Sequence, residues 1–314
     1  MRKIKIVTDS CSDLKKSIRE KYDIDYLQMF TVRDAKETPA SLDWEYYSPK
    51  DLYDTIRDGN RVTTTQVPAV NFENGFKKFL DEGFDIVYIA CSSKLSGSVN
   101  TGRKVAEEML KDYPGATIRC VDSFNASAGE GLVAVKGALL RDEGLSADEI
   151  ADRLDELKNN VNQFVTVHSL NALKAAGRVK ASSAFFGNLL GVKPILVSDK
   201  NGDNIAIKKV KGRLNSLEEI VSLTVDGIIP GTTSSYTSFT PTARTRLRKL
   251  RSSSTRSSRT SRSRSATSDP SSARPSAPTL SAFSAGARAA RGSPYDDGGR
   301  TCGFRGRFLP HGRS

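Results

Sequence analysis

Asp85-Ile86-Val87-Tyr88-Ile89-Ala90-Cys91-Ser92-Ser93-Lys94-Leu95-Ser96-Gly97-Ser98 opens as an apolar run and closes in hydroxyls and a glycine. The opening half has the pattern of a strand buried on both faces. Val99, Ala106, Met109, Leu110 and Tyr113 then fall near helical spacing, so a helix is expected over 99–113. A strand, a tight turn and a helix start leave free backbone N–H groups beside the Ser96 and Ser98 hydroxyls, which favours a bound anion. Gly97 lets the backbone approach a ligand closely. The alternative is that Ser96 or Ser98 only caps the helix.

The same alternation continues in both directions. Ile4, Ile6 and Val7 mark a first strand that ends at Thr8-Asp9-Ser10, and Ser12 is placed to cap a helix carrying Leu14, Ile18 and Tyr22. A second strand is expected over 24–32, then a variable loop, then a helix opened by Ser48-Pro49-Lys50, where proline suits the first turn. Residues 62–68 are rich in hydroxyls and read as a loop, and Asn71 begins a helix with Phe72, Phe76 and Leu80. Downstream, a strand over 117–121 ends at Asp122-Ser123, a helix follows over 128–143, and Ser146-Ala147-Asp148-Glu149 reads as a capping box. The expected fold class is therefore α/β: an open parallel sheet with helices on both faces, over residues 1–160. Ligands of such sheets gather at the carboxyl ends of the strands. Asp9-Ser10, Ser96-Gly97 and Asp122-Ser123 all fall there.

The pattern restarts near residue 160. A strand over 164–168, a short helix before Gly177-Arg178, and a helix with Phe185, Phe186, Leu189 and Leu190 point to a second, smaller and incomplete α/β domain over 161–230. A strand over 191–197, the turn Asp199-Lys200-Asn201-Gly202 and Ile205-Ala206-Ile207 form a hairpin, and a helix follows over 217–225.

Beyond Pro230 the chain changes character. Residues 231–314 hold 15 Arg, one Lys and three Asp, a net charge of +13, which leaves −1 for the first 230 residues out of a total of +12. They contain no Ile, Val, Met, Glu, Gln, Asn or Trp. Such a segment is expected to be disordered. The run 251–265 allows an RNA-binding arginine–serine arm, but the abrupt loss of whole residue types favours out-of-frame sequence and no nucleic-acid partner.

Several chemistries lack their signatures. There is no Gly-x-Gly-x-x-Gly after a strand, no phosphate loop and no His-Glu-x-x-His. Cys11, Cys91, Cys120 and Cys302 show neither metal spacing nor a disulfide framework, and are expected as free thiols in a reducing, cytoplasmic setting. The N-terminus leads directly into a strand, with no leader-like segment, and no apolar run reaches the ~18 residues of a membrane span. Asp9 and Asp122 could ligate a metal, although loop carboxylates more often cap turns. An acyl hydrolase using Ser96 with His168 is the alternative function, but Ser96 lacks the glycines of a nucleophile elbow.

In order, Val7-Thr8-Asp9-Ser10, Thr64-Thr65-Gln66, Ser93-Lys94-Leu95-Ser96-Gly97-Ser98, Asp122-Ser123 with Ser127 and Gly129, Ala176-Gly177-Arg178 and Lys193-Pro194-Ile195-Leu196 resemble the DegV family of bacterial fatty-acid-binding proteins. The resemblance implies two α/β domains with one long-chain fatty acid between them, and neither a cofactor nor catalysis by the chain itself. It implies that Thr64 and Ser96 hold the carboxylate; Thr65, Gly97, Ser98, Asp9, Ser10, Asp122 and Ser123 are the further ligand-binding candidates, from their places in these motifs and at the strand ends. The acyl chain would run along Phe185 and Phe186 in a tunnel of the second domain. It also implies an ATP-dependent fatty acid kinase as partner, met at Arg178, making acyl-phosphate for phospholipid synthesis. Two departures stand out. The family's Thr-Ser-Gln-Pro is Thr64-Thr65-Gln66-Val67 here, and residues 231–314 contain no His-Thr-Gly-Pro-Gly loop.

Overall fold

The computed structural model describes residues 2–167, 176–180, 185, 191–226, 234–235 and 301–307, the last two stretches as backbone. In chain order the elements are β1 (Lys3–Asp9), α1 (Lys16–Lys21), β2 (Ile24–Leu27), β3 (Phe30–Arg33), β4 (Lys36–Pro39), α2 (Pro49–Arg57), β5 (Val62–Thr65), α3 (Ala69–Asp81), β6 (Phe84–Ala90) and α4 (Ser98–Met109). They continue with β7 (Ile118–Asp122), α5 (Ala128–Asp142), α6 (Ala147–Leu157), β8 (Val161–Thr166), β9 (Val192–Ser198), β10 (Asn204–Lys211), α7 (Arg213–Asp226), β11 (Ser234–Ser235) and β12 (Thr301–Arg307).

The first sheet has the order β2-β1-β6-β7 and is parallel throughout. Alternation along its strands divides the side chains between two cores. Ile4, Ile6, Val87, Ile89 and Val121 meet Leu132, Val133, Ala138, Ile150 and Leu154 of α5 and α6. Val7, Ile86, Tyr88 and Ala90 meet Phe72, Phe76, Leu80, Val99 and Val105 of α3 and α4. The Phe72 ring stands edge-on to Tyr88 with centroids 5.1 Å apart. Burying each such ring contributes about 1.5–3 kcal/mol. Helices thus cover both faces of the sheet, and the capping box at Ser146 and Glu149 forms as its spacing predicts.

Three expectations for the first 160 residues needed correction. The strand over 24–32 is two strands in different sheets. The Ser10 hydroxyl bonds the Leu27 carbonyl at 3.3 Å and accepts the Met29 N–H at 2.9 Å, so the chain leaves the parallel ladder there. The hydroxyl-rich segment at 62–68 contains β5, which joins β3 and β4 in an antiparallel sheet ordered β4-β3-β5. Thr63 and Thr64 are exposed on it, and β-branched hydroxyl residues suit a strand that is not core. The first helix begins at Lys16 rather than at Ser12, with no side-chain cap on Lys15, although Leu14, Ile18 and Tyr22 are buried as expected.

The second sheet, β10-β9-β8-β12-β11, is antiparallel at every pairing. The β9–β10 hairpin closes at Asp199–Gly202, where Gly202 has φ +86° and donates its N–H to the Asp199 carbonyl at 3.0 Å. Leu217, Ile220 and Val221 of α7 are buried. No element was expected after residue 230, yet β11 and β12 stand in this sheet, with β12 paired to β8 from Thr301↔Thr166 to Gly306↔Val161. Without β12, β8 would present a row of unpaired N–H and C=O groups, and backbone pairing does not require a side-chain pattern. The rest of 231–314 lies outside the described residues, as do His168, Phe186, Leu189 and Leu190. No described helix is long and apolar enough to cross a membrane.

Candidate functional site

Three strands of the first sheet end side by side, and each terminal polar residue holds a loop. Asp9, the last residue of β1, is fully buried. Its Oδ1 accepts the Cys11 N–H at 2.9 Å, and its Oδ2 accepts the Tyr88 hydroxyl at 2.8 Å and the Cys91 N–H at 3.1 Å. One carboxylate thereby joins the exits of β1 and β6. Burial raises its pKa above the ordinary value while these three donors pull it down.

Glu130, in the first turn of α5, is also fully buried. Its Oε1 accepts the Thr8 hydroxyl at 2.8 Å, its Oε2 accepts from no donor, and the carboxyl is hydrogen-bonded to that of Asp9. Burial, and then the charge of Asp9, hold its pKa well above the usual range. The donors on Asp9 favour its charged form, so of the two carboxyls Glu130 is the one that holds its proton to higher pH. A raised folded-state pKa contributes stability at acid pH that is lost as the pH rises through it. Glu130→Gln, which does not titrate, should therefore gain stability relative to the parent between about pH 5 and about pH 8. The gain is roughly 1.4 kcal/mol for each pH step of one over which the folded parent keeps this proton and the unfolded chain has lost it. Urea unfolding in EDTA at both pH values checks this; a pH-independent difference would contradict it.

Beyond β6, the Ser92 N–H reaches the Asn125 carbonyl at 2.8 Å, and the Ser92 hydroxyl donates to the Gly202 carbonyl at 2.7 Å. Asp122 Oδ1 accepts the Ser93 and Phe124 N–H groups, both at 3.2 Å. The Ser123 hydroxyl donates to the Asn125 carbonyl and accepts the Asn125 N–H, both at 3.1 Å. Asp13, Phe124 and Ser127 surround these loops with φ of 52°, 54° and 54°. Backbone strain of this kind collects at functional sites.

The hydroxyls before α4 form a chain. Ser96 Oγ and Ser98 Oγ lie 2.9 Å apart, and Ser98 Oγ accepts the Val67 N–H at 3.1 Å. Ser96 Oγ also takes the Ser98 N–H at 3.3 Å, a long contact for a cap, and Gly97 at the N-cap offers no side chain. A Cβ on Gly97 would lie 1.9 Å from Gln66 Oε1, so a side chain there would displace the end of the Gln66 side chain from the start of α4. Gln66 Nε2 completes the contact by donating to the Thr101 hydroxyl at 2.8 Å.

The structure thus places Ser96, Gly97 and Ser98 against the segment that follows Thr64 and Thr65. Asp9, Ser10, Asp122 and Ser123 lie at the strand ends but are engaged by neighbouring strands and loops of the chain. Thr64 is exposed on β5 opposite Thr31. Phe185 is half-buried with the Lys209 ammonium 4.8 Å from its ring centroid, and Arg178 is exposed, donating to the Ala176 carbonyl at 2.8 Å. Sequence reading missed Glu130, although a lone carboxylate amid Ala128-Gly129-Glu130-Gly131-Leu132-Val133 was a visible signal.

Residues 3–237 match a family model described as "Uncharacterised protein, DegV family". A DegV domain-containing protein of Clostridium perfringens is 38% identical over 218 residues, spanning 69% of this chain and 75% of its own. Among solved structures, a Thermotoga maritima protein described as revealing a fatty acid binding function aligns with TM-score 0.64 at 26% identity, over 76% of this chain and 82% of that one. A structure described as fatty acid binding of a DegV family protein from Thermus thermophilus aligns with TM-score 0.75 at 24% identity, over 98% of this chain and 100% of that one, a likeness of fold.

Proposed function

The chain belongs to the DegV family, and from that premise we propose that it binds a long-chain fatty acid, holding the carboxylate at Ser96 and Thr64 and the acyl chain toward the second sheet. The observation that carries this is the Ser96–Ser98 hydroxyl pair at the start of α4, packed against the segment after Thr65. Hydroxyl donors beside a helix N-terminus suit a carboxylate. Solved relatives described as fatty-acid-binding support the ligand class. Each hydrogen bond to the charged group contributes about 1.5–3 kcal/mol. Ser96→Ala and Thr64→Ala should each weaken fatty acid binding by roughly 10- to 100-fold. Titration with a fluorescent fatty acid tests this, and unchanged affinity in both variants would remove the site.

The protein then acts as a carrier: it presents the carboxylate to a separate ATP-dependent fatty acid kinase, which forms the acyl-phosphate used in phospholipid synthesis. Arg178 serves that contact, and its exposure supports the assignment. Arg178→Ala should leave fatty acid affinity intact and slow phosphorylation by the kinase. An equal fall in affinity and phosphorylation would place Arg178 at the ligand instead.

A further inference from the structure

Cys11 in the turn after β1, Cys91 after β6 and Glu130 at the start of α5 converge from three elements, and their two sulfurs and a carboxylate oxygen all lie within 4.8 Å of one another. Cys91 is 2% and Glu130 0% exposed, while Cys11 is half-buried and offers a way in. Asp9 fixes the backbones of both cysteines, taking one N–H on each oxygen at 2.9 and 3.1 Å. Thr8 orients Glu130 through Oε1 at 2.8 Å, and the buried Oε2 accepts from no donor while the carboxyl meets that of Asp9. An unsatisfied buried carboxyl oxygen is costly, and a cation would satisfy it.

The donor set selects the cation. Two sulfurs and one oxygen suit zinc and similar borderline-soft divalent ions in tetrahedral geometry. Magnesium and calcium require oxygen ligands throughout. We propose that Cys11, Cys91 and Glu130 bind one zinc-class divalent cation that fastens the ends of β1 and β6 to α5. A water supplies the fourth ligand from the Cys11 side. On binding, the two thiols and the Glu130 carboxyl release their protons to solvent. Asp9 and Thr8 act as the outer partners that orient the ligands. The contact with Cys11, burial and then the neighbouring carboxylates raise the Cys91 pKa and so slow thiolate chemistry there, whereas a metal ion reverses that field. The two cysteines are far apart in the chain, which is why no ligand spacing marks them.

The full-length protein, reduced and stripped with a chelator, is titrated anaerobically with Co²⁺. One equivalent should saturate a thiolate-to-cobalt charge-transfer band, Zn²⁺ should abolish the band, and Mg²⁺ should not. Zn²⁺ should also raise Tm, since it binds only the folded site. Cys11→Ser and the near-isosteric Glu130→Gln should each weaken Co²⁺ binding by about 100-fold or more, as outer partners alone are worth 10–100-fold. Cys120→Ser and Cys302→Ser should retain it. The proposal is overturned if the folded parent protein shows no charge-transfer band, if Cys11→Ser binds Co²⁺ as tightly as the parent, or if Cys120→Ser or Cys302→Ser loses the band. Fatty acid binding is a separate readout, so either result stands without the other.

Discussion

Asp9→Ala is expected to remove roughly 3–5 kcal/mol of stability, from neutral donors left unsatisfied rather than from an uncompensated charge. Three buried donors, the Cys11 and Cys91 N–H groups and the Tyr88 hydroxyl, lose their acceptor together. Each unsatisfied donor costs about 1–3 kcal/mol, less what entering water recovers. Tyr88 cannot turn to solvent, because its ring is wholly buried against Phe72 and Phe76. Asp9→Asn should cost less, since its amide oxygen still accepts one of these bonds while its NH₂ faces donors. Urea unfolding followed by circular dichroism measures both variants. A loss below about 1 kcal/mol in Asp9→Ala would show that water readily replaces the carboxylate.

Gly202→Ala is expected to be nearly as damaging, at about 2–4 kcal/mol, for a different reason. Gly202 has φ +86°, and an added Cβ would lie 2.3 Å from Ser92 Oγ and 3.0 Å from Phe124 Cα. The hydroxyl can rotate away, but the Phe124 backbone cannot. The left-handed backbone costs an alanine about 1 kcal/mol or more, and overpacking adds about 1–3 kcal/mol. The hairpin tip at Gly202 meets the loops after β6 and β7, so fatty acid binding should fall with stability. Gly144→Ala is the control: its φ is +92° but nothing lies within 4 Å of the added Cβ. It should lose only the backbone contribution. Equal losses in the two variants would mean the hairpin contact is slack.

The parallel sheet was legible because 86–90 of β6 is an unbroken apolar run and its helices carry an apolar stripe. The hairpin was legible because Asp199-Lys200-Asn201-Gly202 has turn chemistry. β5 was not, because an exposed strand of threonines carries no apolar period. β12 was not, because its ladder with β8 is made by backbone groups, which carry no residue pattern. Within the site, the strand-end positions of Asp9, Ser96 and Asp122 followed from the α/β pattern. What they bond to did not, since the partners Tyr88, Cys91, Val67 and Ser93 are set by packing between distant segments.

The central claim is that this chain holds a fatty acid at Ser96 and Thr64. Native mass spectrometry of the purified protein, after incubation with mixed long-chain fatty acids, tests it directly. The account predicts a folded species heavier by the mass of one long-chain fatty acid per chain, lost in the Ser96→Ala/Thr64→Ala double variant while its circular dichroism is unchanged. A folded parent protein that takes up no fatty acid, or a double variant that retains it in full, would contradict the account.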